Sequence, residues 1–184
     1  IQTTLKTLIA SHPGENPAIG APGRNWLNYD ELRALSAEVA RSLNAIGIDA
    51  SDRVAIILPN GPEMATAFVS IAQAATTAPL NPGYRQEEYA FYLKDLKAKA
   101  LLVADDYDGP AYAAARLLGM DVIRLCVPAD APAGYFTLSS EISATPATKE
   151  PTADDIALVL HTSGTTSRPK IVPLLQSNVA ASAL

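Results

Sequence analysis

The segment RVAIILP, residues 53–59, carries an unbroken apolar run from Val54 to Leu58. A strand with one wet face alternates apolar and polar side chains. A strand that is apolar at every position must be covered on both faces. Such a strand belongs in the interior of a parallel sheet, and parallel strands need crossover connections, usually helices. The chain supplies them. NGPEMATAFVSIAQAA reads as a helix with Pro62 in its first turn, and TTAPLNPGY as a short strand running into a loop. RQEEYAFYLKDLKA is the next helix, KALLVA a strand, GPAYAAARLLG a helix and DVIRLCV a strand. This alternation predicts an α/β fold: a doubly wound, mostly parallel sheet flanked by helices.

Ahead of that unit, TTLKTLIASHPG places Leu5, Leu8 and Ile9 on one helical face, with Thr3 or Thr4 as cap and Pro13-Gly14 as stop. His12 falls in the stop, where a solvent-facing side chain is expected. PAIGAPGRNWLNY reads as two short strands around a turn. The clearest helix follows, with Leu32, Leu35, Val39, Leu43 and Ile46 in one stripe and Gly47 at its C-terminus. Asn28 with Glu31 has the spacing of a capping box.

Residues 128–155 break the rhythm with Pro128, Pro132, Pro146 and Pro151 among small and acidic residues. They read as a loop-rich connection, with YFTLSS as an edge strand, leading to the strand DIALVLH. The chain thus divides into an α/β core over 1–127, this connection, and a strand pair with the start of a helix over 156–184. It opens at Ile1 and stops at NVAASAL, inside a helix, so an incomplete N-terminal part of a longer protein is expected.

Composition narrows the function. The chain is 48% hydrophobic and 18% charged, with net charge −5 and its 14 lysines and arginines scattered. That distribution argues against a nucleic-acid partner. No apolar stretch is long enough to span a bilayer. Cys126, the only cysteine, sits in an apolar strand and reads as core. With no secretory signal before the first helix, a cytoplasmic setting is expected.

The chemistry concentrates in LVLHTSGTTSRPKIVPL, residues 158–174. The apolar strand stops at His161, and Thr162, Ser163, Gly164, Thr165, Thr166 and Ser167 follow before Arg168, Pro169 and Lys170. Hydroxyls and backbone amides around a bend, joined by a cation, suit a polyanion such as a polyphosphate. The same composition also suits a plain surface turn with an incidental lysine. It is not a P-loop, which needs Gly before the Lys and a helix after it. Here Pro169 precedes Lys170 and IVPL reads as a strand, so the segment connects two strands.

TSGTTSRPK resembles the phosphate-binding signature T-S-G-[ST]-T-G-x-P-K-G of the adenylate-forming superfamily, which includes acyl-CoA synthetases. The segments NYDELRALSAEVARSLNAIGI, DRVAIILPNGPEMATAFVSIAQAATTAPLNPGY, EEYAFYLKDLKAKALLV and PLLQSNVAAS support it in the expected order. HTSGTTSRPK is most similar to the oxalyl-CoA synthetase-like branch. Two positions depart from the usual pattern: Ser167 and Ile171 stand where most members have glycine. A β-branched side chain at Ile171 stiffens the return strand.

The resemblance implies an AMP-forming acid–thiol ligase using ATP, Mg2+ and coenzyme A on a small-molecule carboxylate. Thr162, Ser163, Gly164, Thr165, Thr166 and Lys170 would hold the phosphates. Lys170 would act in catalysis, and Thr166 would lie near the metal. His161 would border the nucleotide or acyl site or simply pack, and Asn178 has at most a marginal role. The adenine, acyl and CoA contacts lie further along the chain in this family, so residues 1–184 alone are expected to be inactive. An adenylation domain loading a carrier-protein thiol and a non-catalytic nucleotide-binding relative are the alternatives.

Overall fold

A computed structural model describes residues 3–162 and 169–183. Helix α1 (Leu5–Ala10) starts at a capping box in which Thr4 and Thr7 bond each other's backbone. A two-stranded antiparallel ribbon, β1 (Pro17–Ile19) and β2 (Leu27–Asn28), leads into α2 (Tyr29–Ala45). The Asn28–Glu31 capping box forms as its spacing suggests: each side chain bonds the other's backbone N–H at 2.8 Å. These bonds satisfy donors that the first helical turn cannot pair internally. At the other end Gly47 adopts φ +79, and a Cβ there would meet the Thr145 carbonyl at 2.9 Å. The glycine is thus required both by the turn and by the connection packed against it.

The α/β unit follows: β3 (Arg53–Ile57), α3 (Pro62–Ala72), β4 (Thr76–Pro79), α4 (Gln86–Asp95), β5 (Ala100–Ala104), α5 (Pro110–Leu117) and β6 (Asp121–Cys126). The edge strand expected in YFTLSS is β7 (Thr137–Ser140), antiparallel to β6. The strand pair at the end is β8 (Ile156–Thr162) and β9 (Lys170–Leu175), followed by α6 (Gln176–Ala181).

Among the described residues the main sheet has seven strands in the order β7-β6-β5-β3-β4-β8-β9. Strands β6, β5, β3, β4 and β8 run parallel, and the outer strands β7 and β9 are antiparallel to their neighbours. From β3 the chain steps one way to β4, then back past β3 to β5 and β6. Right-handed crossovers therefore put α3 on one face and α4 and α5 on the other. The sheet is doubly wound.

The side chains confirm that both faces are covered. Val54, Ile56 and Leu102 pack with α2 and α3, while Ala55, Ile57, Leu101 and Val103 pack with α4 and α5. Every one of these residues is buried. Burying an aliphatic side chain of this size contributes roughly 1.5–3 kcal/mol, so the unbroken apolar run is the main reason the sheet forms.

A third, smaller cluster joins Leu5 of α1, Ala72 of α3 and Ala157 of β8, with Val179 of α6 against it. Gln176 lies inside this seam at 1% exposure. Its amide nitrogen donates to the Ala72 carbonyl, and its oxygen accepts from the Leu5 N–H at 3.3 Å. A buried amide with both ends bonded fixes three helices in one relative position.

Candidate functional site

The strand pair β8–β9 carries the residues that the sequence marks for phosphate contact. Its register pairs Leu160 with Val172, His161 with Ile171 and Thr162 with Lys170. Successive side chains on a strand point to opposite faces, so this stem has two distinct sides. His161 and Ile171 face the layer of α4. The His161 side chain is only 5% exposed, and Ile171 packs against the cluster formed with α4 and α5. Leu160, Thr162 and Lys170 lie on the opposite side and are exposed.

That division places a hydroxyl and an ammonium next to each other. Directly opposed residues hold their Cβ atoms about 4.5–5.5 Å apart, so the Thr162 and Lys170 side chains start from one spot on the open face. A donor hydroxyl beside a point charge suits an anionic oxygen. Ser163, Gly164, Thr165 and Thr166, together with Ser167 and Arg168, lie outside the described residues. Among the described residues no grouping of three or more His, Cys, Asp or Glu side chains could hold a metal ion.

Three features of this region have no local sign in the sequence. Asp95, the last residue of α4, places its Oδ2 3.2 Å from His161 Nε2. The Tyr92 ring meets the His161 ring edge-on with centroids 4.6 Å apart, and Tyr84 stacks on Tyr92 at 4.8 Å. Tyr84 stands in the loop after β4, and the Tyr89 hydroxyl ties that loop to α4 by donating to the Asn81 carbonyl at 2.8 Å. Burial pushes the Tyr89 phenol up to about 12 and the Tyr92 phenol upward as well, so both rings stay neutral at ordinary pH. Tyr92 and Asp95, three residues apart, share one face of α4.

The attachment of β8 to the sheet is also unusual. Its ladder with β4 has a single register pair, Thr77 with Leu158. Two side chains of β4 reinforce it: Thr76 Oγ1 donates to the Ile156 carbonyl at 2.7 Å and Thr77 Oγ1 to the Ala157 carbonyl at 2.8 Å. Beyond β4 the tip of the stem has β9 as its strand partner.

Three further residues weighed from sequence have structural surroundings here. Asn178 accepts from the Leu175 N–H at 3.0 Å and so caps α6. His12 is exposed but stacked on Tyr29, with ring centroids 4.4 Å apart. Cys126 is half-buried, and burial pushes its thiol up, away from the reactive thiolate.

Residues 6–184 match the family of AMP-binding enzymes. The chain is 39% identical over 180 residues to an oxalate–CoA ligase of Arabidopsis thaliana, covering 95% of this chain and 35% of that protein. It is 36% identical over 157 residues to an oxalate–CoA ligase of Saccharomyces cerevisiae, covering 72% of this chain and 29% of that one. The fold superposes on a crystal structure of ATP-bound MatB from Rhodopseudomonas palustris with a TM-score of 0.76 and 25% identity, over 98% of this chain and 36% of that one. The chain therefore spans about a third of the length of these relatives. With its doubly wound sheet and its hydroxyl-rich segment between β8 and β9, the chain belongs to the AMP-binding enzyme family.

Proposed function

We propose that the complete protein is an ATP-dependent carboxylate–CoA ligase and that residues 1–184 form the N-terminal part of its nucleotide-binding domain. The observation that carries this reading is the Thr162–Lys170 pair on the open face of the stem, in a chain 36–39% identical to several CoA ligases. The reaction has two halves. A carboxylate oxygen attacks the α-phosphorus of ATP, forming an acyl-adenylate as pyrophosphate leaves. The thiol sulfur of coenzyme A then attacks the acyl carbon, and AMP leaves with the electron pair of the broken C–O bond.

No nucleophile from the protein is needed in either half. The work of residues 1–184 is to bind and orient the triphosphate and to offset its charge. Lys170 supplies a cation and Thr162 a hydroxyl donor. Ser163, Gly164, Thr165 and Thr166 supply further donors, and Thr166 is the residue of this chain that would face Mg2+. The metal, when bound, would neutralise phosphate charge. Ile171, partly buried, packs against the core on the α4 side, which gives a structural reason for a β-branched residue where the family pattern has glycine.

The test is ATP–pyrophosphate exchange by the complete protein with oxalate and with short- and medium-chain acids. Lys170→Ala is expected to lower kcat/KM for ATP by about 100-fold or more, as for loss of a preorganised charge contact. A loss below about 3-fold would remove the lysine from the mechanism. Free coenzyme A should accept the acyl group, and acceptance only by a carrier-protein thiol would favour a carrier-loading enzyme. Residues 1–184 alone are expected to form no thioester.

A further inference from the structure

The tip of the β8–β9 stem has to be aimed by something other than the sheet. The β4 ladder reaches β8 only at Leu158, and β4 ends at Pro79, which has no N–H to extend it. Residues 159–162 therefore continue past their neighbour with β9, itself the outer strand, as their only strand partner among the described residues. A two-stranded stem standing alone is free to twist and tilt. Side chains on its α4 face decide its direction.

We propose that Asp95 and His161 are a positioning pair that fixes the stem tip on α4 and so sets where the Thr162 hydroxyl and the Lys170 ammonium stand on the opposite face. A carboxylate oxygen is an acceptor, so the pair assigns the donor role to His161 Nε2, 3.2 Å away. Tyr92 closes one flank of the imidazole, and Ile171 pairs with His161 across the strands. His161 is nearly inaccessible while its neighbours in β8, Leu160 and Thr162, are exposed, so the ring is an anchor in an otherwise open stretch.

The position of Asp95 argues against a role confined to its own helix. It is the last residue of α4, where the helix dipole disfavours a carboxylate. Among the described residues its side chain has His161 as its bonding partner. An alanine at this place would suit the helix better, and the contact with the stem is what the carboxylate provides.

This inference rests on the reading of Lys170 as a phosphate contact, and a double-mutant cycle in the complete protein separates the two. The readout is carboxylate-dependent ATP–pyrophosphate exchange, with thermal melting as the check on folding. Asp95→Ala should leave the melting temperature unchanged or raised, yet lower kcat/KM for ATP by about 10-fold through misplacement of Lys170. Asp95→Asn, which keeps an acceptor oxygen at the same reach, should restore most of that loss. In a Lys170→Ala background, Asp95→Ala should cost less than about 2-fold more, because the group it positions is gone. Full additivity of the two losses would overturn the positioning role and leave the phosphate contact intact. Lys170→Ala without effect would overturn both. If Asp95→Ala lowers the melting temperature in proportion to activity, or if Asp95→Asn is as damaged as Asp95→Ala, the role assigned here is wrong.

Discussion

Strands β3 and β8 are both parallel members of one sheet, yet they are held in different ways. β3 pairs along its length with β4 on one side and β5 on the other, and both its faces are buried under helices. β8 meets β4 at one register pair supplemented by two threonine hydroxyls, and its far end has one covered face and one open face. The difference is chemical. β3 is held by area removed from water, which is non-directional and tolerates many sequences. β8 is tied to β4 by a few directional bonds and to β9 by an antiparallel ladder, burying Ala157 and Val159 but leaving Leu160 and Thr162 exposed. The parallel pairing thins between β4 and β8, and antiparallel pairing with β9 carries the stem beyond it.

The strongest way to break this comparison is in the middle of the sheet. Leu102→Ala removes a fully buried side chain beside β3 and should cost about 2–5 kcal/mol, read as a lower urea midpoint for the 184-residue chain with all probes moving together. If only part of the chain loosened, the sheet would not be one cooperative unit. A smaller and more local effect is expected from Thr77→Val. It keeps the shape of a fully buried residue while deleting the hydroxyl bond to Ala157, for a loss of about 1–2 kcal/mol. Amide exchange should then quicken in β8 and β9 while β3 and β5 keep their protection; uniform acceleration would show that β8 has no separate opening.

The smallest effect concerns acid. The Thr152 backbone N–H holds the Asp155 carboxyl below the usual carboxylate range, aided by the Thr152 hydroxyl and Lys149. A carboxyl depressed in the folded chain stabilises it above the unfolded value of about 3.9, and that stabilisation is lost as pH falls through the folded value. Asp155→Asn should therefore flatten the fall of melting temperature below about pH 4. An unchanged slope would assign the acid sensitivity elsewhere, with Asp49, whose carboxyl the Ser51 backbone N–H also holds low, as the next residue to change.

Runs such as RVAIILP, the Asn28–Glu31 box and the proline at the start of α3 were legible because each is a local pattern with a local cause. The hydroxyl-rich segment was legible as a connection between two strands, and β8 and β9 do pair on either side of it. The partner of His161 was not, because Asp95 is 66 residues away and meets it only after β4 and β8 lie side by side. Thr76 and Thr77 read as ordinary β-branched strand residues, and nothing about them announced bonds to carbonyls on another strand. Gln176 was visible only as a residue in a motif. Its burial is a property of the seam between three helices.

That seam also orders events in time. The Leu5 N–H bonds an amide 171 residues later, so α1 cannot complete its seat until synthesis has passed Gln176. Its Ile9 end can settle early on α2, where the Arg33 guanidinium donates to the Ile9 carbonyl at 3.1 Å. The Leu5 end must wait for α6. Nascent chains halted before residue 176 will therefore carry a half-docked α1, open to chaperones and proteases, which locks when the glutamine arrives.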